Sequence, residues 1–151
     1  MADIHINTCA EALLDGAFLS TIDAAEVRPS RIAGRGLFTL RFRNAGEILC
    51  RLDGQVVDSR RFPKVMEELE WNALSPVALL VRPLRTSYGY INHSLTPNVV
   101  VSPDGLQLLT SRAVEAGEEF TMDYFAQPVP QAYLESAEGL RLRAFSSRLI
   151  A

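Results

Sequence analysis

Tyr88-Gly89-Tyr90-Ile91-Asn92-His93-Ser94-Leu95-Thr96-Pro97-Asn98 is the stretch on which the reading of this chain turns. Two phenols, an imidazole and two carboxamides fall within eleven residues. A carboxamide donates and accepts at once, so Asn92 and Asn98 suit either recognition of a polar ligand or the bracing of a loop crossing. His93, between polar neighbours, is either a hydrogen-bonded structural group or a binding group.

Two further islands lie on either side. Upstream is Arg31-Ile32-Ala33-Gly34-Arg35-Gly36-Leu37-Phe38-Thr39. Two glycines separated by one residue let backbone approach a ligand, or simply make a tight turn. The spacing is not GxGxxG and no βαβ unit follows, which argues against a dinucleotide site. Arg35 either meets an anion or faces water. Downstream is Gly117-Glu118-Glu119-Phe120-Thr121-Met122-Asp123-Tyr124, which ends in a carboxylate beside a phenol. From Glu115 to Asp123 there are four acids and no bases, a run that either faces water or favours a basic peptide.

The intervening segments read mainly as short strands. Ile4 and Ile6 alternate, Thr8 and Glu11 form a capping box, and Ala10 to Phe18 carries a helical apolar face. Extended segments are expected at Val27–Ile32, Leu37–Leu40, Ile48–Leu52, Gln55–Val57 and Val77–Val81. Pro103-Asp104-Gly105 between Val99–Val101 and Leu106–Thr110 predicts a hairpin. Lys64–Leu74 predicts a helix, because Val65, Met66, Leu69 and Ala73 recur at helical spacing with Pro63 near its start. Leu142, Phe145 and Leu149 predict a helical tail.

Composition narrows the function classes. The 151 residues (16.7 kDa) suit one domain, and 48% hydrophobic with 22% charged residues favours a packed core. A net charge of −3 and a pI near 5.4 lack a basic nucleic-acid footprint. Cys9 and Cys50 form no CxxC pair and read as reduced thiols, with a single disulfide as the alternative. His5 and His93 fit no close metal-ligand spacing, so no metal site is expected. Ser94, His93 and Asp123 lack the GxSxG elbow of a hydrolase. No apolar run is long enough to span a membrane, and the acidic start is unlike a signal peptide.

Taken together, the three islands resemble the SET-domain protein methyltransferases. Gly34-Arg35-Gly36-Leu37-Phe38 resembles the early GxG motif. Asn92-His93-Ser94 with Pro97-Asn98 resembles the NHSxxPN signature, and Gly117-Glu118-Glu119 with Asp123-Tyr124 resembles the closing GEExxxDY element. The resemblance covers about Val27 to about Phe125. It implies a mostly β fold with short helices, in which small curved sheets surround a C-terminal pseudoknot. Residues 1–26 become an N-terminal extension packed on the core, 27–125 a catalytic core with a helical insert around 60–75, and 126–151 a helical tail.

The family's chemistry is methyl transfer from S-adenosylmethionine to a protein lysine. By that resemblance Tyr124 is the catalytic tyrosine. Gly34, Arg35, Gly36, Asn92, His93 and Tyr124 meet the cofactor, while Tyr88, Tyr90 and Phe125 are candidates for the substrate channel. Asn98 and Asp123 brace the crossing and the closing segment. Leu95 replaces the family's usual cysteine, and the cysteine-rich flanking modules are missing, so no zinc is expected. The channel wall such a module supplies falls to Gln131–Ala151 or to a second subunit, which makes a homodimer an expectation. The expected partner is a lysine-containing, basic protein or peptide, with no direct nucleic-acid binding and no membrane. The expected setting is soluble and intracellular, in the cytoplasm, with export or a nuclear role left open. A catalytically weak or inactive SET-like interaction module is the alternative.

Overall fold

The computed structural model describes residues 18–150, the stretch 146–150 by backbone alone. The strand expected around Ile4 and Ile6, the Thr8–Glu11 capping box, most of the Ala10–Phe18 helix, His5 and Cys9 lie outside the described residues. Strands β1 (Ala25–Pro29) and β2 (Arg35–Thr39) form an antiparallel pair. Strands β3 (Ile48–Arg51) and β4 (Gln55–Asp58) then diverge into different sheets. After helix α1 (Val65–Glu68), strands β5 (Glu70–Ala73) and β6 (Ala78–Arg82) join β4 in the order β4-β6-β5. The remaining strands are β7 (Asn92–His93), β8 (Val99–Val101), β9 (Gln107–Thr110) and β10 (Thr121–Met122). With β3 they make a five-stranded sheet ordered β3-β9-β8-β10-β7. Helices α2 (Gln131–Leu134) and α3 (Ala137–Ile150) end the chain.

The hairpin expected at 99–110 is present. β8 and β9 pair antiparallel from Val99↔Thr110 to Val101↔Leu108, and Gly105 takes the positive φ (77°) its turn requires. The expected 64–74 helix is a correction. Its helical part is only Val65–Glu68, and Leu69 is already extended (φ −128°, ψ 161°). Glu70–Ala73 instead pairs antiparallel with β6, from Glu70↔Arg82 to Ala73↔Leu79. Asn72 and Ala73 are buried, and Trp71 reaches back to donate its indole N–H to the Met66 carbonyl at 3.1 Å. Tertiary pairing has overridden the helical periodicity of that segment.

The main core gathers where the sheets converge, around Leu37, Ile91, Val99, Leu108, Val114 and Phe120, each at most 1% exposed. Full burial of a side chain such as Phe120 contributes about 1.5–3 kcal/mol. Phe120 belongs to the segment that leads to the site. It donates its N–H to the Leu37 carbonyl (2.8 Å) while Thr39 donates to Glu118 (3.0 Å), binding 117–120 to β2. The chain then enters the five-stranded sheet as β10, parallel to β7 on one side and β8 on the other. The connection 94–98 must therefore cross from one flank of β10 to the other.

Asn98 holds that crossing. Its Nδ2 donates to the Glu119 carbonyl (2.8 Å), and its Oδ1 accepts from Thr121 N–H (2.8 Å). Its own N–H donates to the Thr121 carbonyl (3.2 Å), and the residue is 1% exposed. Asn98→Ala leaves a buried donor and a buried acceptor without partners. We expect a loss of about 2–4 kcal/mol in urea unfolding, with the m-value unchanged.

Candidate functional site

The Gly34–Gly36 loop, Asn92 and Glu119 meet in one hydrogen-bonded cluster. Asn92 Nδ2 lies 3.1 Å from the Ala33 carbonyl, 3.2 Å from the Arg35 carbonyl, 3.2 Å from Ser30 Oγ and 2.8 Å from Glu119 Oε1. Ser30 Oγ also donates to the Glu119 carboxylate at 2.8 and 2.9 Å to its two oxygens. The Asn92 amide nitrogen is thus engaged inside the protein, tying the glycine loop to the closing segment. Gly36 is required by close approach: a Cβ there would collide with Glu119 Oε1. Gly34 differs, because it has positive φ (44°) and open space where a Cβ would stand. Arg35 is exposed at the start of β2.

His93 is buried and faces the segment that carries Tyr124. Its Nδ1 accepts the Tyr124 backbone N–H at 3.1 Å, which assigns the proton of the neutral ring to Nε2. Asp123 Oδ1 is 3.8 Å from the same nitrogen, too far for a hydrogen bond. Asp123 instead accepts from Phe125 N–H at 3.0 Å, capping the 3-10 turn Tyr124–Ala126. Burial pushes His93 below its ordinary value, with the Asp123 carboxylate opposing that shift. His93 is therefore neutral at pH 7.

Tyr124 lies on the wall of a cavity of about 260 Å³. Tyr88, Ile91 and Met122 line its floor side, and Glu67, Glu70 and Trp71 contribute from the β5 region. Arg85, Gln127, Tyr133 and Glu138 complete much of the remainder. The Tyr124 phenol donates to the Ile91 carbonyl at 2.5 Å, while Gln127 Nε2 donates to Tyr88 Oη at 3.1 Å. Burial pushes Tyr88 up to about 12, and it pushes Tyr124 and Tyr133 up as well. All three phenols stay protonated at neutral pH.

A buried ion pair stiffens the same wall. Arg82 Nε lies 2.6 Å from Glu70 Oε2, and Arg82 Nη1 donates to Asn72 Oδ1 (2.8 Å) and the Asp53 carbonyl (3.1 Å). Glu70 also accepts from Thr86 N–H and Oγ1 at 2.8 and 2.7 Å. The Arg82 guanidinium sits 5.0 Å from the Tyr88 ring centroid, so one network positions both the carboxylate and the phenol.

Of the sequence-identified residues, Tyr88 and Tyr124 share the cavity. Tyr90 packs elsewhere, edge-on to Phe18 (5.0 Å) and beneath the Arg85 guanidinium (4.8 Å). Phe125 stacks on Tyr133 (6.1 Å) and meets the edge of His93 (5.2 Å), supporting the wall from behind. Gly34, Arg35, Gly36, Asn92 and His93 form the adjoining brace and do not line this cavity. The acidic run is mostly spent internally, with Glu118 on Arg112 and on Glu115 N–H, and Glu119 on the glycine-loop brace. Sequence reasoning missed Arg85, Trp71, Gln127, Tyr133 and Glu138. Only Tyr133 and Glu138 carried a signal, as parts of a tail expected to cover the site.

Two measurements check this arrangement. Gly36→Ala is expected to destabilise the protein, and Glu119→Ala to relieve much of that added strain. A double-mutant cycle should return a coupling of about 0.5–3 kcal/mol. The pH dependence follows from His93. Its folded value lies below the ordinary 6.5, so the unfolded chain binds the proton first as pH falls. The contribution is complete above the unfolded pKa and is lost as pH drops through the folded one. Urea midpoints taken between about pH 8 and about pH 5 should fall less steeply in His93→Gln than in the unaltered protein.

Among the described residues, no group of three or more His, Cys, Asp and Glu side chains is placed to hold a metal ion. No described helix is long and apolar enough to cross a membrane. No curated protein matches the chain. A family model of the SET domain matches residues 34–125, well over half of the sequence, from the first glycine of the loop to the residue after Tyr124. The chain belongs to the SET-domain family.

Proposed function

We propose that the protein transfers a methyl group from S-adenosylmethionine to the ε-amine of a protein lysine. The observation that carries this reading is the Tyr124 phenol, fixed to the Ile91 carbonyl on the wall of an aromatic cavity. SET domains are generally associated with lysine methylation. The crossing of 94–98 around β10 is read as the family's pseudoknot.

The residues present suit the cofactor's chemistry. The cofactor would lie along the glycine loop, where Gly34 leaves open space and the exposed Arg35 offers a guanidinium to the ligand's carboxylate, leaving the Tyr124 cavity to the lysine. Asn92 and His93 would meet it through backbone, because the Asn92 amide and His93 Nδ1 are engaged within the protein. When bound, S-adenosylmethionine supplies an electrophilic methyl carbon.

The protein's own contribution is orientation and exclusion of water. A lysine must enter as the neutral amine, and a desolvating channel walled by Tyr88, Trp71 and Tyr133 favours that form by penalising the ammonium. Its proton leaves to solvent, since burial holds Tyr124 and Tyr88 protonated and unfit as bases near pH 7. With its hydrogen committed to Ile91, the Tyr124 oxygen retains lone pairs that accept from an amine N–H or a polarised methyl C–H. Glu67 and Glu138 at the cavity edge favour a cationic substrate, which supports a basic protein or peptide partner.

A second reading, a SET-like interaction module without turnover, draws support from the internal engagement of Asn92 and His93. Tyr124→Phe separates the two. The methyltransferase reading expects unchanged folding, S-adenosylmethionine binding by calorimetry on metal-free protein, and turnover lower by about 10²-fold. Unchanged turnover would remove Tyr124 from the chemistry. Absence of both binding and transfer in the unaltered protein would favour the module.

A further inference from the structure

The sequence contains fourteen arginines and a single lysine, Lys64. That lysine is exposed beside the candidate site, on the rim of a second hollow of about 620 Å³. The second hollow and the Tyr124 cavity share Met66, Glu67, Tyr133 and Glu138 as a common wall. Among the described residues, the Lys64 ammonium has no hydrogen bond or ion pair that would hold it back. We propose that Lys64 is a methyl acceptor for the Tyr124 site of a second copy of this chain. The inference rests on the methyltransferase reading above.

The surroundings of Lys64 favour a second copy over its own site. The Lys64 carbonyl accepts from Glu67 and Glu68 N–H, both at 3.1 Å, so the backbone is held at the start of α1. Arg60, Arg61 and Phe62 precede it in an exposed stretch, and Phe62 is 57% exposed. The hollow itself brings the Lys64 ammonium together with the carboxylates Glu67 and Glu138. Such a surface is self-complementary. Two copies meeting about a two-fold axis would each set Lys64 against Glu67 and Glu138 at the other's cavity edge.

The step balances with a sulfonium methyl donor as co-reactant. Lys64 loses one proton to solvent, and its Nζ lone pair forms a bond to the methyl carbon. The carbon–sulfur bond breaks with its electron pair going to sulfur, leaving a neutral thioether. The product is the methylammonium cation, which carries the positive charge that the sulfonium has given up and enters water without taking up a further proton.

The test uses two full-length variants with labelled S-adenosylmethionine. Lys64→Arg keeps the Tyr124 site and has no lysine; Tyr124→Phe keeps Lys64 and lacks the phenol. Incubated alone, Lys64→Arg should acquire no label and Tyr124→Phe should acquire it about 10²-fold more slowly than the unaltered protein. Mixed, the Tyr124→Phe chain should become labelled, and peptide mass spectrometry should place the methyl group on Lys64. In the unaltered protein the labelling rate per molecule should rise with protein concentration. Labelling in the mixture no faster than in Tyr124→Phe alone, label in Lys64→Arg alone, or a rate independent of concentration where the chain sediments as a monomer would each overturn the proposal. A library of basic peptides, each with one lysine, is assayed in parallel. Peptide methylation without Lys64 methylation defeats this inference and leaves the methyltransferase reading standing; absence of both defeats the two together.

Discussion

Asn98 satisfies a strand that is too short to hold itself. β10 has only two residues, so neither its hydrogen bonds nor its burial could fix it in isolation. It is instead enclosed between β7 and β8, with the Asn98 amide bonded to the backbone at Glu119 and Thr121. Tyr124 begins two residues later. Its N–H is fixed by His93 on β7 and its phenol by Ile91 just before β7. Tyr124 is therefore located by two hydrogen bonds to one neighbouring segment. A shift of β10 would move the phenol against both together, which is the pre-organisation that the proposed methyl transfer calls for.

The same constraint couples the glycine loop to the closing segment, although the loop does not line the cavity. Glu119 stands on the closing segment immediately before Phe120. From there its carboxylate accepts from Asn92 and Ser30, and Asn92 in turn holds the carbonyls of Ala33 and Arg35. Regions separated by many tens of residues thus form one polar cluster, in which each donor depends on the others for its partner. Partial disruption of such a cluster strands polar groups, so it behaves as a unit. The absence of a side chain at Gly36 is what lets the carboxylate approach that closely.

Local chemistry was readable where a turn or motif carried its own signal. Pro103-Asp104-Gly105 announced the β8–β9 hairpin, and the Asp123-Tyr124 pair pointed to the phenol that reaches the cavity. Glu70–Ala73 was unreadable for a different reason. Val65, Met66, Leu69 and Ala73 fit a helical period, yet the last of them pairs across to Leu79 in a sheet whose partner strand comes later in sequence. Tyr88, Tyr90 and Phe125 were equally plausible channel aromatics from sequence. Only packing distinguishes Tyr88 on the wall from Tyr90 against Phe18 and Phe125 behind Tyr133. Trp71, Gln127 and Tyr133 reach the same cavity from three separate stretches, and no spacing rule connects them.

Charge at the site shows the same dependence on tertiary placement. The dense run from Glu115 to Asp123 suggested an acidic surface, but Glu119 turns inward and Glu118 is paired with Arg112. The acids that do border the cavity, Glu67 and Glu138, come from α1 and α3, which are remote in sequence. Glu70 is present as well, but Arg82 and Thr86 occupy its oxygens. Exposed Glu67 and Glu138 thus border a cavity whose buried carboxylate, Glu70, is already neutralised. For the proposed lysine substrate, attraction would act at the cavity edge and desolvation within, an order suited to capture of an ammonium followed by release of its proton.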